Sequence, residues 1–275
     1  MDIISVGSSS SGNSYIITAG GHTIILDAGL PAKKIRGALE ELGRDPEEVD
    51  AVLVTHEHTD HVRSVRAMSR CCRRAQFYAS RGTVECAESF CHVPEERVHV
   101  MCAGESADLG DCGDVSIRAF SLSHDAAEPI GFTVEADGDK LAVVTDSGVI
   151  TEEIFDAVCD ADQLVLEANH DVDMLMFGEY PYLVKVRIKS DMGHLSNDSA
   201  GDVLSRILGY RKAGPEDCSS ERPLRIMLAH LSFHNNIPLF ARQTVEDRLH
   251  EDGFVKGGDY VLEVAAKEGL TFMPR

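Results

Sequence analysis

The chain has no tryptophan and only 6% aromatic residues, so stacking partners for nucleic-acid bases are few. Basic residues are scarce too. Twenty-six Lys and Arg stand against 46 Asp and Glu, a net charge of -20, which excludes a protein held to nucleic acid by bulk charge. A polyanionic substrate would have to be bound locally, by metal ions or by a clustered basic patch. No apolar run approaches the ~20 residues of a membrane span. The opening "MDIISVGSSSSGNSY" lacks a basic region followed by a long apolar stretch. The eight cysteines (71, 72, 86, 91, 102, 112, 159 and 218) form no C-x-x-C. These absences lead us to expect a cytoplasmic protein with no membrane partner and with reduced cysteines acting as small core residues. Cys71 and Cys72 are expected as partly buried helix residues, not as a redox pair.

What is present is a chain of 275 residues, 43% hydrophobic, enough to bury a sizeable core as one α/β domain spanning 1–275. β-branched runs bounded by glycine predict strands at 2–6, 14–19 and 22–28, with a hairpin at Gly20-Gly21. "PAKKIRGALEELG" predicts a helix over 31–43 that Gly43 ends. "DAVLVT" at 50–55 reads as a short buried strand. Further strands are expected at 114–124, 130–136, 140–146, 162–168 and 224–230, with helices near 151–159, 196–212 and 238–253. The stretch 214–222 reads as a surface loop. Two β-rich halves with covering helices point to two sheets packed face to face inside helices.

The strand at 50–55 delivers "THEHTDH", in which His56, His58, Asp60 and His61 crowd one loop. Imidazole and carboxylate donors at this density suit zinc, manganese or iron, and alternating positions let one loop serve two ions. More ligands are needed. Candidates close apolar runs elsewhere: His124 ends "IRAFSLSH", Asp146 ends "KLAVVTD" and His230 ends "RIMLAH". Taken singly, each would more often be a capping residue.

With these motifs in hand, the chain resembles the metallo-β-lactamase fold, and within it the YycJ/WalJ (VicX) nuclease family. The resemblance runs nearly end to end through "GSSSSGNSYII", "IILDAGL", "THEHTDH", "SHDAAEPIGF", "TDSG", "LEANHD", "GHLSN" and "HLSFHNN". It implies an αββα four-layer sandwich and two divalent metal ions. One ion would be held by His56, His58 and His124 and the other by Asp60, His61 and His230. Asp146 would bridge them, and Asp27 would support the histidine loop through a ring hydrogen bond. The implied activity is hydrolysis of DNA phosphodiesters, as a 5′-to-3′ exonuclease with Asp60 and Asp146 in the catalytic centre. The alternative is a small-molecule hydrolase of the same fold, acting on small or cyclic phosphodiesters, thioesters or lactones. Two ions a few ångströms apart can acidify a shared water and clamp the attacking and leaving oxygens of a phosphodiester.

His170 and His194 are the unassigned motif histidines, expected in phosphate contact or general acid work or, alternatively, as capping residues. Ser9, Ser10, Ser11 and Asn13 belong to a Ser/Gly segment that would cradle a phosphate if it lined the same rim, and would otherwise be a plain turn. Asn197, Ser232, Asn235 and Asn236 sit in family motifs; where the resembled family usually carries an acidic residue, this chain has His234. Lys185, Arg187 and Lys189 form one basic patch, flanked by Tyr180 and Tyr182. Arg63, Arg66, Arg70, Arg73 and Arg74 are spaced as one face of a helix, either a path for DNA or a solvated surface.

Overall fold

Gly20 and Gly21 take φ of 53° and 83°, the left-handed pair that a two-residue hairpin demands, and they join two strands where expected. A computed structural model describes residues 1–110, 113–213 and 222–275. Cys112, Cys218 and all but the last residue of the loop expected at 214–222 lie outside the described residues. The chain divides into two compact units. One comprises Met1–Ser121, Ala126–Gly138 and Ala266–Phe272; the other comprises Leu122–Asp125, Asp139–Ala265 and Met273–Arg275.

In the first unit, β1 (Asp2–Ser9), β2 (Gly12–Ala19) and β3 (His22–Leu26) run antiparallel. After α1 (Ala32–Glu41), the chain adds β4 (Ala51–Leu53) parallel to β3. The helices α2 (Thr59–Val62) and α3 (Val65–Cys71) precede β5 (Gln76–Ala79). Past α4 (Arg81–Cys86), β6 (Val98–Val100) extends the parallel run. β7 (Ser106–Leu109), β8 (Val115–Ser121) and β9 (Ile130–Ala136) form an antiparallel meander. The strand Thr271–Phe272 pairs with β1, Ile4 opposite Phe272. Ile16, Ile25, Val52 and Phe77 form a fully buried core with Ile35 and Leu39 of α1 and Val65 and Met68 of α3.

The serine-rich segment is no open loop. β1 runs through Ser9 and β2 starts at Gly12, so only Ser10 and Ser11 form the exposed turn. Nor do the five arginines share a helix face. Buried Ser64 sits between α2 and α3 at φ -111°, ψ 7°, held by its N–H to the Ala28 carbonyl (2.7 Å) and its Oγ to the Leu30 carbonyl (2.6 Å). That tertiary anchor interrupts the helix. Arg73 and Arg74 then lie beyond its end at Cys72, and Arg97 donates to the Ser69, Cys72 and Arg73 carbonyls that α3 leaves open. Cys72 is buried at that end, Cys71 half-buried, and both are free thiols.

The second unit is built on four parallel strands, β10 (Asp139–Val144), β11 (Gln163–Glu167), β12 (Leu224–Ala229) and β13 (Tyr260–Val264). Val144, Leu166, Leu228 and Val264 stand in one row across them, so the strands end at one level. The helices are α5 (Glu152–Val158), α6 (Val172–Phe177), α7 (Tyr182–Ile188), α8 (Asn197–Ala213) and α9 (Pro238–Glu251). Among the described residues, no helix is long and apolar enough to cross a membrane.

Candidate metal centre

Both units place ionisable residues where parallel strands end, the usual location of sites in open α/β sheets. In the first unit, Leu26, Leu53 and Tyr78 are in register. Asp27 follows β3 directly and Thr55 to His61 follow β4. Asp27 is fully buried at φ 57°. It accepts from Thr55 N (2.9 Å) and Thr55 Oγ1 (3.0 Å to Oδ2), and its Oδ2 lies 2.7 Å from His61 Nδ1. Thr55 Oγ1 also lies 3.0 Å from His56 Nδ1. Because its single proton goes to Asp27, that oxygen is the acceptor for His56. The ring of His56 then stands 4.6 Å from that of His58 and 4.1 Å from that of His61. Asp27 thus occupies the supporting position that the resemblance implied.

The loop is clamped from below. Ala28 N donates to the His61 carbonyl and Ser64 N to the Ala28 carbonyl. Gly29 is required there, because a Cβ on it would lie 1.5 Å from the Asp60 carbonyl oxygen. Asn13 Nδ2 reaches across at 3.4 Å from Asp60 Oδ2 and 3.2 Å from His61 Nε2.

In the second unit, Asp146 lies just past β10, Glu167 ends β11 and His230 follows β12. Asp146 and His230 take φ of 61° and 56°. Glu167 went unnoticed in the sequence, although it closes the apolar run "DQLVLE" just as Asp146 closes its own; applying the strand-end rule there would have found it. Wholly buried, it accepts from Ser147 N (3.0 Å) and Leu195 N (3.1 Å), and lies 2.9 Å from His194 Nδ1 and 2.7 Å from His230 Nδ1. Burial pushes its pKa up, but His194 and His230 outweigh this and hold the carboxyl below its usual range. Ligand atoms of Asp146, Glu167, His194 and His230 all lie within 4.8 Å of one another. His124 Nδ1 lies 3.1 Å from the Gly193 carbonyl, and its Nε2 lies 3.7 Å from Asp146 Oδ1 and 3.4 Å from Asp125.

One pattern covers both units. His56, His61, His124, His194 and His230 each set Nδ1 against an oxygen. An Nδ1–H donor leaves the Nε2 lone pair for a ligand bond, the arrangement that metal-binding histidines adopt. The donor set therefore fits divalent metal ions.

His170 departs from the pattern. It is buried, and its Nδ1 has no hydrogen-bond partner among the described residues. Burial, only partly opposed by Glu167, pushes its pKa down to about 4. The ring is neutral at pH 7 and has no spare proton to give. Between its ordinary value of 6.5 and about 4, the unfolded chain binds a proton that the folded ring refuses. Stability is therefore expected to fall as pH drops through that window, by as much as ~3 kcal/mol. A His170→Gln protein should show a correspondingly shallower loss in urea titrations between pH 7 and 4.5. An identical pH slope in both proteins would remove the assignment.

Other expected contacts are already committed. Arg187 pairs with Asp125 through both Nε and Nη2, and Lys185 Nζ caps the Met176 (2.8 Å) and Gly178 (2.7 Å) carbonyls of α6. Asn197 and Asn236 bind each other's side-chain amides at 3.1 and 2.8 Å, both buried. Ser232 Oγ accepts from Asn235 N (3.3 Å). Asn13 and Ser9 brace their own hairpin, Asn13 Nδ2 donating to the Ser9 carbonyl at 3.0 Å. Lys189 is exposed, its Nζ 3.9 Å from Met176 Sδ.

Histidine and aspartate donors at strand ends of this kind define a metallo-β-lactamase-type protein, and the sequence profile of the β-lactamase superfamily domain matches residues 22–213. YhfI of Bacillus subtilis, a metallo-β-lactamase fold protein, superposes with a TM-score of 0.68 at 13% identity, covering 99% of this chain and 100% of that one. Exodeoxyribonuclease WalJ of Streptococcus pneumoniae is 34% identical over 97% of this chain and 94% of its own length. Exodeoxyribonuclease YycJ of Bacillus anthracis is 31% identical over 92% and 90%. The chain belongs to the WalJ/YycJ family of the β-lactamase superfamily.

Proposed function

We propose that residues 1–275 form one metallo-β-lactamase-fold domain acting as a DNA exonuclease that removes nucleotides from a 5′ end with the help of two divalent ions. Relatives named exodeoxyribonucleases, aligned over nearly the whole chain, support this reading. The observation that carries it is the common orientation of the five histidines, each Nδ1 turned to an oxygen and each Nε2 left for other use. His56, His58 and His124 would hold one ion, and Asp60, His61 and His230 the other, with Asp146 serving both. Imidazole and carboxylate together suit zinc, manganese or iron. When bound, such ions supply an acidified water and charge stabilisation for the phosphoryl oxygens.

The protein's own groups do the rest. Glu167 fixes the His194 ring through Nδ1, leaving Nε2 for the substrate. Burial lowers the His194 pKa, but Glu167 and Asp146 outweigh it, so the ring holds its proton more readily than an ordinary histidine. His194 is accordingly the better proton donor to the leaving oxygen, and neutral His170 serves as a wall or hydrogen-bond partner. Ser10, Ser11 and Lys189 stay exposed and available to phosphate.

Metal analysis of the purified protein, run beside assays on end-labelled single- and double-stranded DNA, RNA, a cyclic nucleotide and a thioester, tests the proposal. Metal-dependent loss of a 5′ label from DNA is expected. Efficient turnover of the thioester or the cyclic nucleotide, with DNA left intact, would replace this function with a small-molecule hydrolase.

A further inference from the structure

In "YLVKVRIK", Val184, Val186 and Ile188 alternate with Lys185, Arg187 and Lys189, a period of two placed on α7, an element whose period is 3.6. Apolar side chains therefore go around the helix and cannot all be covered. Ile188 is buried, whereas Tyr182 is 75% exposed and Leu183 is 78% exposed. Phe177, at the end of α6, is 87% exposed. A second exposed ring, Phe233 at 64%, lies three residues after His230.

These segments touch. Asp171 N donates to the Asn235 carbonyl at 2.9 Å. The Tyr180 ring centroid is 5.7 Å from that of His234, which is 5.1 Å from that of Phe233. Six Phe and Tyr residues are more than a third exposed among the described residues: Phe177, Tyr182, Tyr210, Phe233, Phe240 and Phe272. Four of the six fall in 177–182 and 233–240. In a chain so poor in aromatic residues, that concentration beside one ligand loop calls for a ligand of its own.

Ser232 N donates to the Asn169 carbonyl (2.7 Å), and Asn169 Nδ2 donates to the His230 carbonyl (2.9 Å), so the ring-bearing loop is tied to the residues that would hold metal. Lys189 brings a positive charge to the same surface, against Met176. Phosphates alone would need no rings here. Bases with exposed faces would use them, and a duplex keeps those faces stacked inside.

We propose that Phe177, Tyr182 and the Phe233–His234–Tyr180 ring series form a stacking platform for the bases of an unpaired DNA strand leading into the active centre. The inference rests on the nuclease reading and adds to it: the strand is taken unpaired and is gripped through its bases.

The test uses full-length protein and three nuclease-resistant phosphorothioate ligands, namely a base-bearing single strand, an abasic strand of equal length and a blunt duplex. Wild-type protein should bind the base-bearing strand at least tenfold more tightly than the abasic one. Phe177→Ala, Tyr182→Ala and Phe233→Ala, all on the surface, should each narrow that gap by about fivefold or more while leaving abasic affinity unchanged. If the wild type cleaves ordinary DNA yet shows no gap, or the variants retain it, the platform is wrong and the nuclease reading stands. If sedimentation shows a dimer that the same variants dissociate, the patch joins two copies of the chain and the platform is likewise wrong. Absence of both DNA cleavage and binding would overturn the two readings together.

Discussion

Asp146→Asn is expected to reduce DNA hydrolysis by roughly 10³-fold and to lower the bound metal from two equivalents to one or fewer. Asp146 is buried, and its Oδ1 lies 3.4 Å from His194 Nδ1, 3.4 Å from His230 Nδ1 and 3.7 Å from His124 Nε2. Asparagine keeps the size and tolerates the left-handed backbone at φ 61°, so the change isolates charge from shape. A neutral amide offers two cations one weakly donating oxygen and no charge to offset their repulsion. A loss of about 4 kcal/mol in transition-state stabilisation corresponds to three decades at 1.36 kcal/mol each. Elemental analysis and single-turnover cleavage of end-labelled DNA measure the two effects separately. Wild-type metal content with wild-type turnover would mean that Asp146 bridges nothing.

The second large effect is on stability. Glu167→Gln should destabilise the protein by roughly 3–5 kcal/mol, because four donors converge on a carboxylate that no water reaches. Glutamine supplies one acceptor oxygen and turns an amide N–H toward donors. The pH dependence gives a second signature. A carboxyl held below its ordinary 4.5 contributes stability that is fully present above that value and is lost as pH falls below it. The variant should lack this acid-side loss, and urea titrations at pH 7 and below 4.5 would reveal it. His194 and His230 would also lose the oxygen that orients them, so turnover should drop even where the variant remains folded. A change under 1 kcal/mol at pH 7 would reduce Glu167 to a bystander.

Much of this was legible in the sequence because the informative residues end apolar runs. β3, β4, β10 and β12 are unbroken stretches of Ile, Leu and Val, and the polar residue closing each one marks where the chain leaves the core. What escaped notice had weaker local signals. β6 is three residues long and its middle and last residues are exposed; the strand at 271–272 has two residues, held by pairing with β1 at the other end of the chain. The arginine spacing was read as one helix because nothing local announces Ser64 as a break. That break comes from carbonyls at Ala28 and Leu30, more than thirty positions away in sequence. Helices α6 and α7 have no clean apolar stripe, and the same irregularity leaves their rings on the surface.

The pairing of Thr271–Phe272 with β1 bears on how the protein is made. A ribosome releases β1 first, and two residues near the far end of the chain are what eventually cover its outer edge, with Ser8 N donating to the Ala266 carbonyl beside them. Throughout elongation, that edge presents unpaired backbone N–H and C=O groups in a strand that is otherwise buried and rich in isoleucine and valine. The nascent chain thus carries an adhesive strand for nearly its whole synthesis. Messages cut short anywhere upstream of residue 271 yield chains that keep it, and these are natural clients for chaperones and proteases even when every ligand residue is present.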